Sequence, residues 1–430
     1  MDRREFLAKS GFSAGVVGAG VLTTGAAALQ AQDYSDYSKD PRPDVAEGSC
    51  TAGSLDGPIF VRPPMVAGPS GDAITILQPI ERTATGYLEY AIEGGDWQRV
   101  DALQAGMKRL AEHVLKFRLP PLPPGKTIRY RTTATTIGWV KVRQFYHGEV
   151  KSGQPQTSEE RSFRTLDPHA DSTTFAVWND THENDETLAR LRSLTETTKP
   201  DFLLWNGDQS NDCHFENAMA EQFICPTGAA IADRWPLAYV RGNHECRGPA
   251  AWSLAEFTGS PDDLFYYGFR SGPLAALVMD TGEDKADNSP YYGGTAAYTQ
   301  MQATQSEWLQ SAVQEEWFRT APHKVLFCHI PLWFDHPRIP NNPFNGHEVC
   351  RNFWTKTLVD AGVKLVVSGH THDYLWMPAT ESQPIAQLVG GAPNPKYATH
   401  ITGKATKDEL TIQMSNLDGK VLAEFAMGKS

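Results

Sequence analysis

Short apolar runs separated by polar stretches organise the chain, and their texture changes once. From residue 50 to about residue 166 the runs are brief and β-like, over 73–77, 86–92, 113–118, 127–135 and 161–165, with Pro and Gly between them, most densely at 120–125. Strands at this spacing without a long helical period predict a small β-sandwich. After Asp167 the pattern alternates. Strands are expected over 174–178, 202–205, 237–240, 275–279, 325–329 and 365–368, and helices over 185–198, 304–319 and 349–361. Each of these strands is a short apolar run, as expected where both faces are covered, so this half reads as α/β. The last runs, over 386–389, 398–402, 409–414 and 421–426, return to hairpin texture with Asp418-Gly419 as a turn. They are expected to complete the sheets of the α/β half.

The chain has 430 residues, 40% hydrophobic and 21% charged, which is globular composition with room for two or three domains. With 39 Lys and Arg against 51 Asp and Glu the net charge is −12, the wrong sign for holding a nucleic acid duplex by broad electrostatics. A polyanion could bind only at a local positive site, and a bound metal ion is one way to make it.

At the N-terminus Arg3 and Arg4 precede Glu5, Phe6 and Leu7, and a weakly apolar stretch rich in Gly, Ala and Val follows over 11–28. This resembles a twin-arginine signal, cleaved near Ala31, and implies a twin-arginine translocase as export partner and a periplasmic or secreted location. The stretch barely reaches the ~20 apolar residues that a span needs, so stable membrane insertion is not expected. The division that follows is a signal over 1–31, a flexible lead-in over 32–48, a β-sandwich over 49–167 and a catalytic domain over 168–430. Six cysteines, Cys50, Cys213, Cys225, Cys246, Cys328 and Cys350, lack the spacing of a zinc ribbon or redox motif. Disulfide pairing and burial as small apolar groups both remain open for them.

The chemistry lies at the carboxyl ends of the α/β strands. Asp180-Thr181-His182 follows the first, Gly207-Asp208 the second and Gly242-Asn243-His244-Glu245 the third; His329 ends the run at 325–329, and Gly369-His370-Thr371-His372 follows the run at 365–368. In an α/β sheet the loops outside the strand carboxyl ends converge on one crevice, so residues nearly the whole domain apart can meet. Imidazole, carboxylate and amide donors without a thiolate suit Zn, Fe or Mn. Two such ions ~3.5–4 Å apart can clamp the attacking and leaving oxygens of a phosphoryl transfer. The glycines before Asp208, Asn243 and His370 are expected to permit sharp turns.

In this order the five motifs resemble the calcineurin-like metallophosphoesterase superfamily, over roughly residues 174–427. The preceding β-rich region, with LPPLPPGKTIRYR and SFRT, is similar to the fibronectin-like N-terminal domain of purple acid phosphatases. The resemblance implies a fibronectin-like β-sandwich followed by a metallophosphoesterase domain, with two mixed sheets flanked by helices in a four-layer α/β/β/α sandwich. It implies that Asp180, His182 and His372 hold one metal, Asn243, His329 and His370 the other, and that Asp208 bridges them. His244 would contact phosphate and protonate the leaving alkoxide, and the nucleophile would be a metal-bound hydroxide. Asn211 stands where purple acid phosphatases carry a tyrosine ligand, and His182 where they lack a histidine, so their purple chromophore is not expected. Asp212 lies one residue beyond the position where some relatives pair an aspartate with the GNH histidine.

Around these motifs, Glu245 is expected to orient the loop and Asp280 to be structural. Asp335 and His336 are candidate substrate contacts beside Asn243 and His244, and Trp333, Phe334 and His347 belong to the same candidate pocket wall. The function that follows is an exported, dinuclear-metal-dependent hydrolase of small phosphate monoesters. Hydrolysis of cyclic-nucleotide or lipid-headgroup diesters is the alternative within enzymes. Outside enzymes, the alternative is a surface-polymer-binding protein with a vestigial metal site.

Overall fold

The computed structural model describes residues 55–71, 73–140, 149–334 and 346–429. The expected signal, the lead-in and Cys50 lie outside the described residues.

The apolar runs after Asp167 build two mixed sheets. In the first, Ser172–Trp178, Phe202–Asn206 and Leu237–Val240 run parallel, and the hairpin strands Thr399–Thr406, Glu409–Asn416 and Val421–Gly428 extend it on one side. In the second, Leu274–Val278, His323–Phe327, Leu365–Ser368 and Ala386–Val389 run parallel, edged by the antiparallel strands Tyr267–Ser271 and Leu375–Met377.

Side chains alternate across each strand, which explains why the strands are apolar throughout. Phe175 and Val177 face inward with Phe202, Leu204 and Val240, against Val278, Phe327 and Val367 of the second sheet. Ala176, Trp178 and Trp205 face outward beneath Leu188 and Leu191 of the helix Asp185–Thr198. On the far side Leu277, Leu326 and Val366 are covered by Leu309 and by Trp354 and Leu358 of the helix Glu348–Asp360. The layers are therefore helix, sheet, sheet, helix, with every strand's carboxyl end free to carry a loop.

The β-rich segment does not stand apart from this scaffold. Its strands Met65–Ser70, Ala73–Pro79 and Val114–Arg118 continue the first catalytic sheet, because Met65–Ser70 pairs in parallel with Leu237–Val240 at Ala67 and Leu237. Val66, Ile76, Leu115 and Phe117 then pack against Leu88, Ile128, Tyr130 and Phe163, drawn from a third sheet, also six-stranded, around Ala84–Ile92 and Thr127–Val140. Polar contacts pin the junction: Tyr130 Oη donates to the Asp233 carbonyl at 2.9 Å, and the Arg161 guanidinium pairs with the Asp233 carboxylate. Together with the buried Tyr130 bond, this half-buried charge pair lets the β-rich segment brace the catalytic sheet.

Five cysteines, Cys213, Cys225, Cys246, Cys328 and Cys350, are free thiols, and burial raises the pKa of each. Of the two roles open from the sequence, Cys213, Cys225, Cys328 and Cys350 take that of small buried groups, and Cys246 is a half-buried free thiol.

One buried titratable group makes stability depend on pH. His400, on Thr399–Thr406, has Nε2 3.4 Å from the Thr195 hydroxyl, which also accepts from Trp178 Nε1 at 2.9 Å. Burial lowers its pKa to about 4. The folded state thus binds this proton less tightly than the unfolded chain, whose histidine titrates near 6.5. Its neutral-form stability is present above pH ~6.5 and is lost as pH falls towards 4. Denaturant titrations at pH 7 and pH 5 are expected to show a larger loss for the wild type than for His400→Gln. Equal losses would remove His400 as a source of acid sensitivity.

Candidate metal centre

Five loops leave the strand carboxyl ends together, tied by backbone bonds before any side chain reaches the site. Asp180 N donates to the Gly207 carbonyl at 3.1 Å and His182 N to the Asp208 carbonyl at 3.0 Å, so the first two loops run side by side. Glu245 fastens the third. Its fully buried carboxylate accepts from Asp208 N at 3.0 Å, Ser210 N at 3.1 Å and Gly242 N at 2.7 Å. This is the loop-orienting role expected for it. The carboxylates of the site are themselves aimed by backbone donors: Asp180 by His370 N at 2.8 and 3.0 Å, Asp208 by His244 N at 3.0 Å.

The local backbone is strained. Asp180, His182, Asp208, His370 and His372 all have positive φ, at 51°, 42°, 52°, 73° and 56°. Left-handed non-glycine residues cost of order 1–3 kcal/mol each and persist only where surrounding structure enforces them. Of the three glycines expected to permit turns, only Gly207 has a positive φ, 88°. Gly369 is required by close approach instead, since a Cβ there would lie 2.3 Å from Asp180 Oδ2.

The structure brings together all seven residues expected to hold metal. His182 Nε2 and His372 Nε2 are 3.2 Å apart, and His372 Nε2 lies 3.6 Å from Asp180 Oδ1. Asn243 Oδ1 lies 3.1 Å from His329 Nε2 and 3.0 Å from His370 Nδ1. Asp208 Oδ2 stands between the two groups, 3.5 Å from His182 Nε2 and 3.2 Å from His329 Nε2. Asp208 is common to two donor groups, one with His182 and His244 and one with His329 and His370, while Asp180, His182 and His372 form a third that shares His182.

These donors fit a pair of first-row cations. Tetrahedral donors ~2.1 Å from a common ion sit ~3.4 Å from one another, which is the spacing observed. His329 Nδ1 donates to the Asn206 carbonyl at 2.9 Å, which fixes the tautomer and turns the Nε2 lone pair inward. Burial lowers His182 to about 4, the neutral form a ligand requires. Burial drives the Asp180 carboxyl well above the usual carboxylate range. Burial acts in the same direction on Asp208, but His329 opposite it holds Asp208 below that range, and Asp208 in turn raises His329 to about 10 against the effect of its own burial. The buried carboxylate thus draws positive charge from a ligand histidine, a demand that a bound cation would meet.

His244 stands beside the donors, with Nε2 3.9 Å from Asp208 Oδ2. Its Nδ1–H donates to the backbone carbonyl of Asn211 at 2.7 Å, so a main-chain oxygen anchors the ring where some relatives use an aspartate. Asp212 instead lies 3.9 Å from His214. The seven-donor cage opens into a cleft of about 430 Å³ that is also lined by Asn211, Arg247, Asp284 and Lys285.

Asp335 and His336 lie outside the described residues. Trp333, proposed for the pocket wall, is instead buried in the outer core with Leu332 and Trp354. His347 caps the helix Glu348–Asp360, accepting from Cys350 N through Nδ1 at 3.3 Å and donating to the Glu283 carbonyl at 3.2 Å. Asp280 is structural, as expected, pairing with Arg241 at 2.5 Å and accepting from Gly282 N at 2.8 Å. The motif reading missed Arg247 and Lys285. Arg247 follows His244 by three residues and was open to notice, whereas Lys285 sits in an acidic stretch that gives no signal.

Residues 173–374 match the calcineurin-like phosphoesterase family. The serine/threonine-protein phosphatases CPPED1 of Homo sapiens and Pongo abelii are each 30% identical over 139 residues, 32% of this chain and 41% of theirs. The chain thus spans less than half the length of these curated relatives. Purple acid phosphatase PPD1 from yellow lupin (Lupinus luteus) shares the fold, with a TM-score of 0.58 over 85% of this chain and 74% of that one at 13% identity. The order of the motifs, their convergence at the strand ends and these matches make residues 173–374 similar to the calcineurin-like phosphoesterase family.

Proposed function

We propose that the chain is an exported, dinuclear-metal-dependent phosphoesterase that hydrolyses phosphate monoesters. The observation that carries this reading is the sharing of Asp208 between two donor sets beneath a cleft that also holds His244. Asp180, His182 and His372 would hold one metal and Asn243, His329 and His370 the other, with Asp208 within reach of both. Two bound ions supply Lewis acidity towards phosphoryl oxygens and lower the pKa of coordinated water.

The protein's own contribution is position and proton management. Asn243 turns its amide oxygen towards His329 and His370 and leaves the adjacent His244 facing the cleft. The Asn211 carbonyl holds one His244 proton at Nδ1, so Nε2 faces the leaving oxygen; as the imidazolium the ring would carry a second proton on Nε2, which passes to that oxygen and leaves the neutral ring behind. Asp335 and His336 belong to the same proposal as candidate substrate contacts. So do the twin-arginine signal over 1–31, the lead-in over 32–48, a fibronectin-like sandwich over 49–167 and the catalytic domain over 168–430.

Metal removal by chelator is expected to abolish turnover of an aryl phosphate, and readdition of Mn, Zn or Fe to restore it. His244→Ala is expected to keep its metal content and lose ~10²–10⁴-fold in rate. Activity indifferent to chelation would contradict the mechanism. A strong preference for bis-aryl phosphate over aryl phosphate would move the assignment to a diesterase.

A further inference from the structure

One wall of the cleft takes no part in holding metal, and its construction is that of an anion subsite. Arg247 is locked from behind: Nε and Nη2 donate to the two carboxylate oxygens of Glu283 at 2.7 and 3.1 Å. This fork uses one edge of the guanidinium and leaves Nη1 to point at His244 Nε2, 3.1 Å away. Lys285 continues the wall. Its ammonium pairs with Asp284, lies 3.7 Å from Glu283, and sits 5.0 Å from the ring centre of Tyr291, on which Arg247 also rests at 5.8 Å.

Arg247 and Lys285 both line the cleft and are more exposed than the carboxylates they pair with. Side-chain exposure rises from 0% at Glu283 and 9% at Asp284 to 16% at Arg247 and 33% at Lys285. Glu283 lies fully buried behind Arg247, whereas Asp284 shares the cleft lining with Arg247 and Lys285, beside the side marked by His244. The wall's two cations balance its two carboxylates, so in a chain of net charge −12 this stretch of the cleft carries no excess negative charge against an anion.

We propose that Arg247 and Lys285 form a specificity subsite for an anionic substituent on the leaving group. Substrates would then be monoesters whose alcohol carries a second negative charge. Arg247 binds at the inner edge, exchanging its bond to His244 Nε2 for one to substrate, and Lys285 takes the outer charge. This inference rests on the phosphoesterase reading and names the substrate class for it.

The test uses the full chain loaded with metal and two esters of matched shape, 4-carboxyphenyl phosphate and 4-carbamoylphenyl phosphate. The wild type is expected to favour the carboxylate in kcat/KM by about tenfold, the scale of one charge-assisted hydrogen bond. Lys285→Gln is expected to bring that ratio close to one. The corresponding phosphonates, which cannot turn over, are expected to show the same ratio in calorimetric dissociation constants. Equal treatment of the two compounds by the wild type, or a preference that survives Lys285→Gln, would overturn the subsite. Absence of turnover with either ester would sink the phosphoesterase reading, and the phosphonate ratio would still judge the wall by itself.

Discussion

Asp208→Asn is expected to lose at least one of two metals per chain and to cut turnover by about 10³-fold, or ~4 kcal/mol of transition-state stabilisation. The substitution is chosen to spare the fold. An asparagine keeps Oδ1 in place to accept from His244 N, now at 3.0 Å, so the loop bond survives. It replaces Oδ2 with an amide nitrogen, which has no lone pair to offer, at the point 3.2 Å from His329 and 3.5 Å from His182. Both donor sets thereby lose the oxygen they share, and His329 loses the charge that raises its pKa. Elemental analysis and single-substrate kinetics on the same preparation check this. Two metals retained at near wild-type rate would show that Asp208 does not bridge.

The convergence of the seven candidate donors is legible in the sequence because each stands at or just beyond the carboxyl end of a legible apolar run. The strand at Leu365–Ser368 matches its expected bounds, being covered by sheet and helix on both faces. His329 was placed at the end of its strand, but the strand closes at Phe327 and the histidine lies two residues into the loop.

Other elements were hidden for physical reasons. Met65–Ser70, with Gly68 and Pro69 in a six-residue run, looks like a turn and becomes a strand only by pairing with Leu237–Val240, a partner far off in sequence. The helix expected over 304–319 starts earlier, at Tyr298, because the Asp287 carboxylate accepts from Tyr298 N at 2.9 Å and Thr299 N at 3.0 Å. That cap comes from eleven residues upstream, where no local signal marks it. The helix then ends at Ala312, and the extended Glu315 separates it from the short helix Glu316–Arg319. The Arg247–Lys285 wall was hidden in the same way, since its pairing exists only after two loops meet.

Glu245→Ala is the substitution expected to cost most stability, about 3–5 kcal/mol, although the Glu245 carboxylate meets the candidate metal donors only through the Asp208 backbone N–H. Removing the carboxylate leaves three backbone donors, Asp208 N, Ser210 N and Gly242 N, without their acceptors in a fully buried setting. Each such loss is worth ~1–3 kcal/mol, and partial collapse recovers some of it. Glu245→Gln provides the internal control. Its amide oxygen can serve Asp208 N and Gly242 N together, as Oε2 does now, while its NH₂ is forced against Ser210 N. The expected loss is then ~1–2 kcal/mol, one unsatisfied donor instead of three. Urea denaturation of metal-free protein measures both variants without the stabilisation that bound ions add by mass action. The same clamp holds the Asp208 and Asn243 loops in register, so metal affinity is expected to fall in the same order, wild type over Gln over Ala. An alanine variant of unchanged stability would mean that the three loops are held by the strands beneath them rather than by this buried carboxylate.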